Sequence, residues 1–421
     1  MKRICCLLVV LAMCTHSYGQ LFFKSTLKSN REKTYRNLVQ NTIQQNLSYA
    51  LTDSTEDNWQ DAFYALELLR YRSLWLDGKI KEAAERLSGQ SVSFQRAALE
   101  LFYSNYPDTF YQPVKLLLMQ TQQPKIFAMC AHYILQSGRA SEDINFLSVK
   151  TQQFLQSNVD DPILQQLAFA INDRKTPVAF PSIAPLFQKD YLPGHNLVLS
   201  FQRKNRNFPG LVMVRDASGK FVKDSTGLHF AVPQLARSVS NLPGYITNGN
   251  TPEGIFRMEG YDVSQTTFIG PTVNVQLTMP FENTPAHFYA DSTLSDTSFS
   301  LISYLNLLPA ELRNYYPLQQ SFFAGKAGRT EIIIHGTTVP ISWYTKEVYY
   351  PLTPTMGCLT SKETWDEETG QRAESDQQKL INALIKAGGP RGYTIVVNIN
   401  DEQRPVTMQD ILPYLEKADQ L

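Results

Sequence analysis

From about residue 30 to residue 172, apolar residues recur at intervals of three and four, glycine is sparse and proline is confined to the breaks; the pattern predicts successive amphipathic helices. A short repeat runs through them. Ala65-Leu66-Glu67-Leu68 returns 33 positions later as Ala98-Leu99-Glu100-Leu101, and Phe94 with Ala98 returns at the same offset as Phe127 with Ala131. Paired helices at this period predict an α-solenoid of about three or four repeats, with an irregular helical bundle as the alternative. The pattern stops at "NDRKTPVAFPSIAPLF", where Pro177, Pro181 and Pro185 crowd together and mark a boundary. The apolar period then shortens. "NLVLSFQ", "GLVMVRDASGKFV", "TVNVQLTM", "TEIIIHG" and "GYTIVVNI" are short β-rich runs bounded by Gly, Pro, Asn and Asp, and "DASGK" (216–220) has the composition of a hairpin turn. "DQQKLINALIKAG" (376–388) predicts a helix with the stripe Leu380, Ile381, Leu384 and Ile385, ended by Gly388-Gly389-Pro390. "TMQDILPYLEKADQL" predicts a short terminal helix interrupted near Pro413.

The fold class expected from these patterns is α+β and multidomain: an all-α helical repeat or bundle over 20–172, a Pro-rich linker over 173–194, a mostly-β unit over 195–400 and a tail over 401–421. Residues 1–19 read differently. Two basic residues, an apolar stretch from Ile4 to Met13 and small residues at Ser17 and Gly19 have the layout of a secretory signal peptide, with cleavage between Gly19 and Gln20. That stretch is too short for a permanent span, and no later one is long enough. A lipoprotein reading would place the lipid on Cys14, but Met13 stands where such sites want a small side chain. The expected location is the periplasm or cell envelope.

Charge excludes little and points nowhere: Lys+Arg and Asp+Glu are both 39, and no long basic run suggests a nucleic-acid partner. Cysteine usage changes the picture more. Three of the five cysteines (Cys5, Cys6, Cys14) fall in the signal segment, leaving Cys130 and Cys358. These two either form one bridge or include a thiol kept for its reactivity. Cys130, in "IFAMCAHYIL", reads as a buried helical thiol. Cys358 follows Gly357 in a loop rich in Pro and Thr, 23 positions after the His335-Gly336 pair that ends an apolar run. A thiol becomes a strong nucleophile beside a base, glycines let backbone approach the reacting atoms, and N–H groups near a Gly-Cys pair can hold an oxyanion. The alternative is two unrelated packing residues. His229, in "GLHFAVPQ", alternates with apolar residues and reads as an ordinary strand residue, and no carboxylates at metal-ligand spacing accompany His195 or His287 in their Pro/Gly-flanked loops, so neither metal nor cofactor is expected. The acidic "TWDEETGQRAESDQQ" reads as a solvated loop.

His335-Gly336 followed by Thr355-Met356-Gly357-Cys358 resembles the signature of bacterial L,D-transpeptidase catalytic domains, a His-Gly, some twenty residues, then Ser/Thr-x-Gly-Cys. "NGNTPEGIFRM" (248–258) is similar to that family's Thr-Pro-x-Gly-x-Phe segment through Thr251, Pro252, Gly254 and Phe256. "LVMVRDASGKFV" and "GYTIVVNI" look like its opening hairpin and closing strand. The resemblance covers about 200–400, with about 260–330 as an insertion that would form a lid or subdomain over the cleft. It implies an exported cysteine enzyme acting on peptidoglycan stem tetrapeptides: Cys358 as nucleophile, His335 as base, and Gly357, Thr355, Gly336 and Met356 shaping the oxyanion site and positioning substrate. The product implied is a 3→3 cross-link. The alternatives are an L,D-carboxypeptidase acting on the same peptides, or a non-catalytic wall-binding scaffold whose helices meet a cell-wall protein. The sequence departs from the family at Met356, often His, and at Thr360, where Arg or Asn is usual; Arg372 or Arg391 would have to supply a guanidinium from elsewhere.

Overall fold

The computed structural model describes residues 21–295 and 297–419; the segment read as a signal peptide lies outside them. Among the described residues no helix is long and apolar enough to cross a membrane. The chain is mixed α and β, and its first 155 or so described residues are helical. Helix α1 (Lys28–Asn37) runs through a π-helical stretch, Leu38–Gln45, into α2 (Asn46–Ser48). There follow α3 (Glu56–Leu69), α4 (Leu74–Glu85), α5 (Val92–Asn105), α6 (Tyr111–Gln120), α7 (Pro124–Gln136), α8 (Ala140–Ser157) and α9 (Pro162–Lys175). Local chemistry sets several starts. The hydroxyls of Ser73 and Ser91 accept the N–H groups of Leu76 and Phe94, Asp161 accepts those of Ile163 and Leu164, and Pro124 and Pro162 stand where a missing N–H costs nothing.

Alternate helices pack side by side, α3 on α5, α5 on α7 and α7 on α9. The two recurring tetrads therefore lie on neighbouring helices, and all eight of their residues are buried. Glu67 and Glu100 are the polar members, and burial raises the pKa of both.

Beyond α9, eight strands close into a barrel: β1 (Asn196–Arg203), β2 (Gly210–Arg215), β3 (Val232–Leu235), β4 (Gly254–Asp262), β5 (Asn274–Thr278), β6 (Ile333–His335), β7 (Leu359–Ser361) and β10 (Gly392–Asn400), in the order β1-β10-β4-β5-β6-β7-β3-β2. β8 (Glu363–Trp365) and β9 (Arg372–Ser375) form a separate two-stranded ribbon. The β1–β10 and β6–β7 pairs are parallel and the remaining barrel pairs antiparallel. Successive residues of β1 alternate between two apolar clusters, Val198 joining one and Leu197, Leu199 and Phe201 the other. With both faces covered, β1 and β2 are buried along their whole length, β2 with the apolar run Leu211 to Val214 and β1 with the polar Ser200 and Gln202 inside it.

Several local expectations change. The stretch 260–330 contains the barrel strand β5 as well as α10 (Pro285–Phe288), α11 (Leu301–Leu305) and α12 (Gln320–Lys326). Its aromatic residues Phe288, Tyr304, Phe322 and Phe323 pack with Leu199, Tyr393 and Ile395 of the barrel, so this segment covers a sheet face instead of standing as a lid. The Pro-rich stretch is likewise anchored: Leu186 and Phe187 are buried, and the Phe187 ring stacks on Phe201 at 5.5 Å. The acidic loop is a β8–β9 ribbon, because Asp366 accepts the N–H groups of Glu368 and Thr369 and turns the chain. Helix α13 (Asp376–Lys386) buries Leu380, Ile381 and Leu384 but leaves Ile385 58 % exposed, so the stripe is narrower than the pattern suggested. Helix α14 (Met408–Asp419) continues through Pro413, and its Ile411 and Leu415 are buried on the barrel.

Candidate active site

Strands β6 and β7 run parallel, with Ile334 opposite Leu359 and His335 opposite Thr360. Cys358 immediately precedes β7. Side chains alternate along a strand, so Cys358 shares a face with Thr360, and therefore with His335. The two lie diagonally across neighbouring strands. The pairing of the two short strands thus brings together a histidine and a cysteine that are far apart in the chain.

His335 is 3 % exposed. Its Nδ1–H donates to the carbonyl of Gly336, which fixes the tautomer and leaves the Nε2 lone pair free to take a proton. Burial pushes the imidazole pKa down to about 4 against the pull of that carbonyl, so the ring is neutral at pH 7. Gly336 has a steric reason to be glycine: a Cβ there would overlap the carboxylate of Glu363. Glu363 is 1 % exposed and accepts from Thr272 Oγ1 at 2.7 Å, Ser375 Oγ at 2.5 Å and the Thr337 N–H at 2.9 Å. It therefore ties the turn after His335 to the β8–β9 ribbon.

The Cys358 residue keeps part of its surface open, and its Sγ–H points to the Glu331 carbonyl at 3.7 Å. Crowding around the sulfur raises the thiol pKa, while the Ile333 N–H and the Arg329 guanidinium pull it back down. The resting pair is consequently a neutral thiol and a neutral imidazole. Cys130 is wholly buried on α7 and unbridged, so Cys358 is a free thiol.

The loop that presents Cys358 is closed by Thr355. Its hydroxyl donates to the Cys358 carbonyl at 3.1 Å and accepts the Gly357 N–H at 2.9 Å. The Gly357 N–H is therefore engaged within the loop, which leaves the Cys358 N–H as the member of that pair to consider for an oxyanion. Met356, 36 % exposed, stands at the loop surface two residues before Cys358. The Gly357 carbonyl accepts from Thr251 Oγ1 at 2.8 Å, and this bond joins the "NTPEG" segment to the nucleophile loop.

Arg329 is the residue that sequence reasoning missed. It is 4 % exposed, and its two terminal nitrogens donate to the carbonyls of Gly244, Ile246, Gly249 and Asn250. Gly357, at φ 119°, lies against it so closely that any side chain there would overlap the guanidinium. Arg329 thus clamps the loop 244–250 and carries a buried positive charge beside the thiol. No motif marked it; only its place shortly before the "IIIHG" run could have drawn attention. The two arginines considered from sequence do other work. Arg372 bonds Thr272 Oγ1 at 3.0 Å and lies 3.8 Å from Glu363, and Arg391 is exposed at the start of β10. Thr360 is fully buried and donates to the Thr353 carbonyl at 2.9 Å, so it does not face a substrate.

The helices support this loop from the other side. His132 of α7 bonds the Tyr245 hydroxyl, Lys125 donates to Thr247 Oγ1 at 2.9 Å, and Asn248 donates to Glu100 Oε2 at 3.1 Å. Among the described residues no three His, Cys, Asp or Glu side chains are grouped so as to hold a metal ion.

In comparisons with known proteins, no family model matches this chain, and neither a curated protein nor a solved structure matches it.

Proposed function

We propose that this protein is an exported cysteine acyltransferase of the L,D-transpeptidase type, with Cys358 as nucleophile and His335 as its base. The observation that supports the reading is the parallel β6–β7 pairing, which brings Cys358, a partly exposed residue, and His335, a neutral imidazole with its tautomer fixed, to neighbouring strands. In the reaction proposed, Nε2 of His335 takes the thiol proton as Sγ attacks the carbonyl of the third residue of a stem tetrapeptide. The C–N bond to the terminal D-alanine breaks, and the leaving amine receives that proton. The side-chain amine of a second stem then attacks the thioester, forming an amide and returning the thiol. Arg329 stabilises the thiolate while it lasts, and the Thr355 and Thr251 hydroxyls hold the loop that carries it. The helical part is proposed as the unit that braces the loop 244–250 and offers a surface to a cell-wall partner.

A specific observation favours hydrolysis as the second reading: Thr360, in the position where the family usually has Arg or Asn, gives its hydroxyl to Thr353 and offers no donor to a second peptide. Incubating the processed protein and a Cys358→Ala control with disaccharide-tetrapeptide, followed by mass spectrometry, separates the readings. A Cys358-dependent cross-linked dimer is expected. Tripeptide without dimer would favour the hydrolase, and equal outcomes from both proteins would end the enzymatic reading.

A further inference from the structure

Between α7 and α9 on one side and the barrel loops on the other lies a cavity of about 800 Å³, well within the size range of small-molecule sites. It lies on the helical side of the 244–250 loop, and neither His335 nor Cys358 lines it. Aromatic rings line part of it, Tyr103, Phe169, Phe180, Tyr245 and Tyr315, among more numerous polar and charged side chains. Its charges are balanced, with Arg174, Lys204 and Arg206 facing Asp173, Glu253 and Asp401 around the same space. Such a lining disfavours a polyanion and suits a ligand of small net charge that carries both polar and apolar groups.

Three polar atoms in this wall are buried without partners: Gln166 Nε2, Arg206 Nη1 and Asn398 Oδ1. Arg206 is 7 % exposed; one terminal nitrogen reaches the Thr251 carbonyl at 3.4 Å, and Nη1 has no acceptor. The nearest help is electrostatic, from Glu253, whose oxygens accept instead from the N–H and Nδ2 of Asn398 at 2.7 and 2.6 Å. Asn398 is 8 % exposed, and its Oδ1 in turn has no donor. A buried guanidinium nitrogen and a buried carbonyl oxygen left unmet each cost stability. Both are closed off from solvent, so an occupant meets them only as Arg206 and Asn398 turn toward the cavity, and it would then have to offer an anionic acceptor and an N–H donor. A carboxylate and the amide N–H next to it meet both needs, and a guanidinium fork suits a carboxylate in particular.

We propose that this cavity is a ligand site for the C-terminal residue of a short peptide or an N-acyl amino acid, with its carboxylate on Arg206 and its amide N–H on Asn398. The site is separate from the thiol but joined to it by one residue. Thr251 receives Arg206 on its carbonyl and donates its hydroxyl to Gly357, so an occupant that draws on Arg206 pulls on the residue that holds the nucleophile loop.

The test uses the processed full chain carrying Cys358→Ala, so that acyl transfer cannot contribute. N-acetyl-alanyl-alanine, in its L,L and D,D forms, is titrated by calorimetry beside the same peptides with the C-terminus amidated. Binding of at least one free acid is expected, with the amide weaker by about tenfold or more. Two further variants locate it: Arg206→Met removes the cation, and Ala170→Phe fills the cavity from α9, each expected to weaken binding by a similar factor. Acid and amide binding alike, no binding of any free acid, or binding unchanged in both variants would overturn the proposal. None of these outcomes depends on whether Cys358 is catalytic.

Discussion

At the scale of single residues, the chemistry of the site depends on how two opposing effects act on Cys358. Crowding disfavours its thiolate, while Arg329 and the Ile333 N–H favour it, and the first effect is the larger. With His335 held neutral down to about pH 4, no imidazolium is present near neutrality to stabilise a preformed thiolate. Labelling of Cys358 by iodoacetamide is therefore expected to climb with pH to an inflection above the ordinary thiol value, without a plateau between pH 5 and 8. Arg329→Met should slow labelling near pH 8 by roughly threefold to tenfold, and Arg329→Lys should recover part of the loss, because it keeps the charge while losing the fork. A flat labelling profile from pH 5 to 8, or a Met variant as reactive as the parent, would show the balance to be otherwise. The residues that took part in motifs could be singled out by type, His335, Gly336, Gly357 and Cys358 among them. Arg329 could not, because its role comes from four carbonyls belonging to a loop about 80 positions earlier.

At the scale of elements, local pattern carried helices and strands well but misjudged their faces and surroundings. In α13, a stripe counted from spacing included Ile385, whereas the helix turns that residue to solvent and buries Ala383 beside Leu384. A paired denaturation experiment checks this: Leu384→Ala is expected to cost about 2–4 kcal/mol and Ile385→Ala less than about 0.5 kcal/mol. Equal costs would mean that Ile385 is covered in solution. The acidic stretch 364–378 keeps Asp366, Glu367, Glu368 and Glu374 in solvent, as its polarity suggested. Glu363, just before it, is instead drawn inside by three donors from Thr272, Thr337 and Ser375. A buried carboxylate of this kind leaves no trace in a hydropathy pattern. Helix α14 shows the same limit, since Pro413 suggested a break and the burial of Ile411 and Leu415 keeps the helix in place.

At the scale of the whole molecule, the helices and the barrel meet where the loop beneath the thiol is held, and one contact there titrates. Glu100 of α5 accepts from Asn248 of that loop, and burial raises its pKa, as it does that of the neighbouring Glu67. A carboxyl with a raised folded-state pKa adds stability below the ordinary carboxyl value and loses it as pH rises through the raised one. Glu100→Gln keeps an acceptor for Asn248 without the charge. Its stability relative to the parent should therefore improve between pH 5 and pH 8, by roughly 1–3 kcal/mol in urea unfolding, and be nearly unchanged at the acid end. A difference constant with pH would argue against a protonated Glu100. Buried neutral His335 has the opposite sign, its contribution being lost as pH falls from 6.5 through about 4. The sequence by itself determined the helical run, the positions of most strands and a short set of chemically able residues, because spacing and composition report local backbone preference directly. Only the tertiary structure decided that β6 pairs with β7, that a closed barrel joins β1 to β10, and that Arg329 lies against Gly357. Those are contacts between distant segments, set by the burial of faces and backbone groups against partners that no local stretch contains.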